Sequence, residues 1–340
     1  MMTQMTPKER VLAAIRGKPY DQIPLASPVS IANAECMDLA KAYFPYANTN
    51  ATKMASLAET GFQILKFDSV SPYFGTTNEV EALGCSVNWG NRYRMPRVLT
   101  SAFESVDAFK SPKDYLNCKS IRTVINAIAI LKQRLKDKVA IFGKVIGPLS
   151  LIFHTCGVQN TLNSLILEPE TLRQALEETR SLCELFAIAQ IEAGADIITI
   201  SEDGAGDLIS RECYRTLIME TESALNKAIQ QYVPVVFHLS CNIMDRADLF
   251  AETGFDALSF DARNSLPELQ KMTGKMKLIG CVDNPATLLN GSKRDIIQEV
   301  FYSIKNGVSI VAPECSIPLR VSNSNLLAMR EAISLYQKMA

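Results

Sequence analysis

The two histidines and nine cysteines of this 340-residue chain are the side chains best suited to holding a soft metal or handling a proton. One histidine opens the segment His238-Leu239-Ser240-Cys241-Asn242, which ends an apolar run. Other runs end in Glu202-Asp203, Asp261, Cys281-Val282-Asp283 and Glu314-Cys315. Imidazole and thiolate together suit Zn2+, and a catalytic zinc keeps three protein ligands and one open position. His154-Thr155-Cys156 is a closer pair, also past an apolar run, so spacing alone leaves two candidate histidines. Cys36, Cys85, Cys118, Cys183 and Cys213 read as small core residues.

The elements that must position these groups repeat along the chain. Short apolar or β-branched runs occur at 23–27, 64–69, 139–146, 196–202, 234–240, 257–261, 277–282 and 308–313, most of them separated by helix-length stretches. Continuous apolar runs suit strands buried on both faces, and helical spacers make neighbouring strands parallel. Gly194, Gly254 and Gly307 each stand just before a run, as helix-terminating glycines do. Eight such units predict an α/β fold, a (β/α)8 TIM barrel spanning residues 1–340 as a single domain. A doubly wound sheet is the rival, but no G-x-G-x-x-G follows the first run. Thr6-Pro7-Lys8-Glu9 is a capping box that opens a short N-terminal helix. Residues 70–138 space their signals least regularly and predict a lid-like insertion between strands 2 and 3, with Tyr73 and Trp89 in it. In such barrels the active site lies at the C-terminal strand ends, where the groups above are collected.

Composition narrows the classes. Thirty-five basic against 36 acidic residues give a net charge of −1, and 47% of residues are hydrophobic, so neither a nucleic-acid nor a membrane surface is expected. The segment Met1–Arg10 has no apolar stretch of the export-signal kind. Nine cysteines without regular spacing predict free thiols in a reducing cytoplasm.

Several stretches carry a family resemblance: 7–17 (PKERVLAAIRG), 81–85 (EALGC), 147–150 (GPLS), 192–196 (EAGAD), 238–261 and 311–315 (VAPEC) followed by Asn325-Leu326. In this order, over essentially the whole chain, they resemble the uroporphyrinogen decarboxylase superfamily and, within it, the methylcobamide:coenzyme M methyltransferase branch. The resemblance implies the same barrel. It also implies a zinc-dependent methyltransferase that moves a methyl group between a corrinoid carried by a partner protein and a thiol such as coenzyme M. The alternatives are the demethylating direction, from a methylated substrate to the corrinoid protein, and a decarboxylase-like lyase. The decarboxylases hold their many-carboxylate substrate with arginines near the first strand, whereas no arginine occurs here between Arg16 and Arg92. No D-x-H-x-x-G corrinoid-binding segment is present, so the corrinoid would arrive on another polypeptide.

In that branch the resemblance implies zinc held by an H-x-C pair after strand five and a cysteine after strand eight. His238 and Cys315 match the outer positions, but Ser240 stands where the middle cysteine is expected, with Cys241 one residue later. The expected metal set is therefore His238, Cys241 and Cys315. Glu202 is the first substitute ligand, then Cys281 and Glu314. Among candidate catalytic groups besides Glu202, Asp261 is expected to hydrogen-bond the histidine ring or act as a labile ligand, and Asn242 to lie at the site. Asp203 and Asp283 read as loop caps.

Overall fold

A computed structural model describes residues 4–339. Six parallel strands form one sheet: β1 (Ser69–Val70), β4 (Ala140–Ile146), β5 (Ile197–Ser201), β6 (Val235–Leu239), β7 (Ala257–Phe260) and β8 (Lys277–Ile279), neighbours in that order. Two extended segments close the ring. Leu25 bridges Val311, and Ile310 and Pro313 bridge Ile279 and Val282, all parallel. The Leu25 carbonyl accepts the Asp68 amide at 2.6 Å, joining the first segment to β1. The eight-unit barrel is thus present, with its first and last strands reduced to isolated bridges and the run at 64–69 contributing only Ser69 to a strand, because Ile64 still ends the preceding helix and Lys66 turns the chain at φ 60°.

The lumen is packed by Ala26, Ala140, Phe142, Ile197, Val236, Ala257, Ile279, Ile310 and Ala312, and plugged from below by Val11, Ala14 and Ile15 of the first helix, Pro7–Ile15. The Thr6–Glu9 capping box fixes the start of that helix. Its Arg10 reaches into a buried charge cluster at the seam of the barrel. Asp68 accepts Arg10 at 2.8 Å, Arg330 of the last helix at 2.6 Å and the Leu25 amide at 2.8 Å, while Asp21 also holds Arg10. The cluster ties both ends of the chain to the weakly laddered junction of the first two segments. The three predicted helix-terminating glycines all adopt positive φ: Gly194 at 115°, Gly254 at 80° and Gly307 at 87°.

The insertion contains a helix (Thr77–Ala82), an antiparallel hairpin of β2 (Ser86–Asn88) and β3 (Arg97–Thr100), and a long helix, Lys119–Leu135. The hairpin loop is anchored by an Arg92–Asp38 ion pair and by Asn48, which donates to the Trp89 carbonyl at 3.0 Å. Tyr73 is not part of a cover. It is 1% exposed and packs edge-on to Phe186 in the core. Half-buried Trp89 lines a small surface cavity with Thr49, Lys119 and Thr123. No helix among the described residues is long and apolar enough to cross a membrane.

Candidate functional site

Period-two alternation aims every second strand residue into the lumen. On β4, Ala140 and Phe142 face inward, so the next in phase, Lys144, does too. On β6, Val236 faces inward and so does His238. On β7 the inward residues are Ala257 and Ser259. A polar layer therefore lies directly above the apolar plug, at the C-terminal strand ends.

His238 is 1% exposed, and its Nδ1 lies 3.0 Å from the Ser259 hydroxyl, its register partner on β7. Its Nε2 is buried with no hydrogen-bond partner. Burial pushes the imidazole down to about 4, the Lys144 ammonium acting in the same direction and the Asp203 carboxylate against it. Asp261, expected beside the ring, instead accepts three hydrogen bonds from Arg263, from its backbone amide, Nε and Nη2. Its carboxylate charge still reaches the imidazole.

Cys315 lies two residues past the Pro313 bridge, at the same C-terminal end of the barrel, whose polar layer makes up the chamber of the site. Burial pushes its thiol up to about 11, the charge of Asp203 adding to the effect and the Ser240 hydroxyl and the Lys144 ammonium opposing it. Asp203, read from the sequence as a cap, is the shared acid of the chamber. It accepts the Ser240 amide at 2.9 Å and hydroxyl at 2.7 Å, and its charge acts on His154, His238, Lys144, Cys241 and Cys315. His154, in the helix Pro148–Cys156, thus lies within reach of the same acid, whereas its neighbour Cys156 is buried beside Thr155.

The remaining candidates are engaged elsewhere. Cys241 does not turn into the chamber. Its sulfur packs on the backbone of Gly206, where an added Cβ would come within 2.0 Å of it. Its thiol is pushed up to about 12 by burial, with Asp203 and Asp207 adding to the effect. Asn242 closes a turn, its side-chain oxygen accepting the Met244 amide at 3.0 Å and its own amide donating to Asp207. Glu202, fully buried, spends both oxygens on the N-terminus of the helix Pro148–Cys156, accepting the Leu149 amide at 3.0 Å and the Ser150 amide at 2.8 Å. It acts as a distant cap, and Gly147 makes room for it, since a Cβ there would come 2.2 Å from its Oε2. Glu314 likewise joins two loops through the Ala262 and Asn284 amides, and Cys281 donates to the Phe260 carbonyl at 3.4 Å. Asp283 caps the turn of helix at Asn284–Leu289, as read from the sequence.

The decisive comparison is with the family model described as uroporphyrinogen decarboxylase (URO-D), which matches residues 6–336. The chain belongs to the uroporphyrinogen decarboxylase family. Within reach of this family member is a methylcobamide:CoM methyltransferase of Methanosarcina barkeri, 29% identical over 339 residues, covering 98% of this chain and 99% of that one. A methylated-thiol–coenzyme M methyltransferase of Methanosarcina mazei is 26% identical, covering 96% of this chain and 89% of that one. A solved methyltransferase structure from Methanosarcina mazei superposes with a TM-score of 0.94 at 28% identity, covering 98% of this chain and all of that one.

The uroporphyrinogen decarboxylase fold is complete here, but the donor set for zinc is not. An unpartnered Nε2 on His238 and the thiol of Cys315 are two suitable donors. The third position is a serine whose hydroxyl bonds Asp203, and Cys241 lies against Gly206. Among the described residues no three of His, Cys, Asp and Glu stand close enough together to hold a metal ion. The residues present therefore do not fit the three-ligand zinc site of the methyltransferase branch.

Proposed function

We propose that this family member is a methyltransferase that moves a methyl group between a methylated corrinoid carried on another polypeptide and a small thiol. The observation that carries the reading is the polar layer at the C-terminal strand ends, where His238 is held by Ser259 with its buried Nε2 left unpartnered, and where His238 and Cys315 both feel the charges of Asp203 and Lys144. End-to-end likeness to methylcobamide:CoM methyltransferases supports both the reaction class and a thiol of the coenzyme M kind.

In the thiol-methylating direction, substrate sulfur attacks the methyl carbon. The carbon–cobalt bond breaks with both electrons retained by cobalt, taking Co(III) to Co(I), and the thiol proton is released. The chain binds and orients the thiol. The Nε2 lone pair of His238, left free when Nδ1–H donates to Ser259, accepts a hydrogen bond from the incoming S–H group. The apolar plug below closes the lumen to water. A reducing cytoplasm suits both Co(I) and the free thiols of the chain.

The lyase reading asks for a cluster of cations around a porphyrinogen bearing many carboxylates. The first strand segment offers Leu25, Ala26 and Ser27 instead, and Arg10 is committed to Asp21 and Asp68 at the opposite end of the barrel. Purified enzyme mixed with methylcobalamin and thiols tests the proposal. Thiol-dependent loss of the methylcobalamin spectrum, with the methyl thioether seen by mass spectrometry, is expected. Absence of both with every thiol tried, or decarboxylation of a porphyrinogen, overturns it.

A further inference from the structure

Lys144 stands out in the chamber because nothing assigned so far uses it. It interrupts a seven-residue strand that is otherwise apolar or glycine, and it faces the lumen with only 4% of its surface exposed. Its position is fixed rather than incidental. Above residue 142, β4 has lost its β1 neighbour, and buried Gln190 takes over the open edge. The Gln190 side-chain oxygen accepts the Lys144 amide, and its NH2 donates to the Lys144 carbonyl, both at 2.9 Å. Two residues on, the carboxylate of Glu79 accepts the Ile146 amide at 3.0 Å. Main chain on either side of the lysine is thus clamped by side chains from the insertion and from the helix Pro169–Ala193.

The ammonium itself has no such partner. It lies 4.6 Å from the centroid of the Tyr73 ring, and among the described residues it makes no hydrogen bond or ion pair. The two acids near it are committed, Glu79 to the Ile146 amide and Asp203 to Ser240. A buried ammonium with three unfilled donors is costly, so such groups are normally paired or hydrogen-bonded. A cation over an aromatic face, backed by apolar wall and held on a clamped strand, is a preorganised seat for a small anion.

We infer that Lys144 is the specificity residue of the chamber, its ammonium seating the negatively charged end, a sulfonate or carboxylate, of the small thiol substrate. The inference rests on the methyl-transfer reading for the thiol, but the anion seat itself is a property of Lys144 and Tyr73. It places the thiol end of the substrate toward His238 and Cys315 and predicts that neutral or cationic thiols are poor substrates.

Calorimetric binding to purified enzyme tests the seat without turnover, using ethanesulfonate and propionate as thiol-free anions and ethyl methyl sulfone as the neutral control. Wild type should bind an anion and not the sulfone, and whichever anion binds tells sulfonate from carboxylate. Lys144→Met should weaken that binding about tenfold or more, the scale of a charge-assisted hydrogen bond. With methylcobalamin, Lys144→Met should cut the preference for 2-mercaptoethanesulfonate over 2-mercaptoethanol by about the same factor, mainly through KM. Equal binding of anion and sulfone by wild type, a comparison that needs no variant, or an unchanged preference in folded Lys144→Met, overturns the inference. Anion binding without any thiol-dependent demethylation would instead sink the methyl-transfer reading and leave the seat standing.

Discussion

Ser240 gives Asp203 two hydrogen bonds, from its amide at 2.9 Å and its hydroxyl at 2.7 Å, while that hydroxyl also neighbours the thiol of Cys315. The position that would hold a second thiolate in the methyltransferase branch is therefore filled by a hydroxyl committed to an acid. Ser240→Cys would complete an imidazole and two thiolates around one point. The variant should retain zinc through dialysis at close to one ion per chain, well above wild type, by elemental analysis. Equal zinc in both proteins would show that residue 240 does not face the other two donors.

Cys241 and Gly206 form a packing pair rather than part of a donor set. Gly206→Ala should cost about 1–3 kcal/mol in urea unfolding, because the new methyl must displace a buried sulfur. Adding Cys241→Ala should recover part of that loss, its own Cβ still standing 2.8 Å from the new methyl, a coupling that only direct contact produces. Additive losses, or a collapse of methyl transfer in Cys241→Ala alone matching that in Cys315→Ala, would return Cys241 to the chamber.

Asp68 carries the seam between the first and second barrel segments, accepting Arg10, Arg330 and the Leu25 amide. Asp68→Asn leaves Arg330 without a carboxylate and Arg10 with Asp21 alone in a largely buried cluster, and removing one partner from such a cluster costs about 3–5 kcal/mol. Chemical denaturation should show a loss of that size. A loss below about 1 kcal/mol would mean the charges are better solvated than their burial implies.

Lys144 also leaves a signature in the pH dependence of stability. Burial lowers its amine from 10.5 in the unfolded chain to about 8 in the native one. Between those values the unfolded state binds more protons, so its contribution to stability rises with pH across the window, by at most about 1.4 kcal/mol per pH unit. Wild-type stability minus that of Lys144→Met, measured by denaturant unfolding between pH 8 and 10, should therefore increase with pH. A flat or falling difference would contradict the burial of the ammonium.

His238 depends on Ser259 for its orientation. Ser259→Ala should lower stability by about 1 kcal/mol, the worth of one buried hydrogen bond, and lower the rate of methyl transfer more than Ser259→Thr does. Identical rates for Ala and Thr at this position would remove Ser259 from the account.

Much of the architecture was readable along the chain because its signals are local. Strands buried on both faces must be apolar over their whole length, which marked eight segments, and a capping box or a helix-ending glycine acts within a few residues. His238 and Cys315 were singled out by their place past strand ends together with the family resemblance, since strand direction alone leaves His154 equally well placed. The N-terminal helix and the glycines at 194, 254 and 307 were located for the same reason.

What the tertiary structure decided depends on register and on competition for hydrogen bonds, neither of which leaves a local mark. The pairing of β6 with β7 puts Ser259, not Asp261, beside His238. Glu202 looks like a site acid in sequence but lies against the exposed amides of a helix start, which take both its oxygens. Cys241 and Ser240 are adjacent in the chain, and only the course of the loop past the strand end, against Gly206, turns the serine toward the chamber and the thiol away from it. Lys144 sat in plain view in an apolar run. That it faces inward follows from alternation along β4, but that its ammonium has no partner could be known only once every neighbouring acid had been placed.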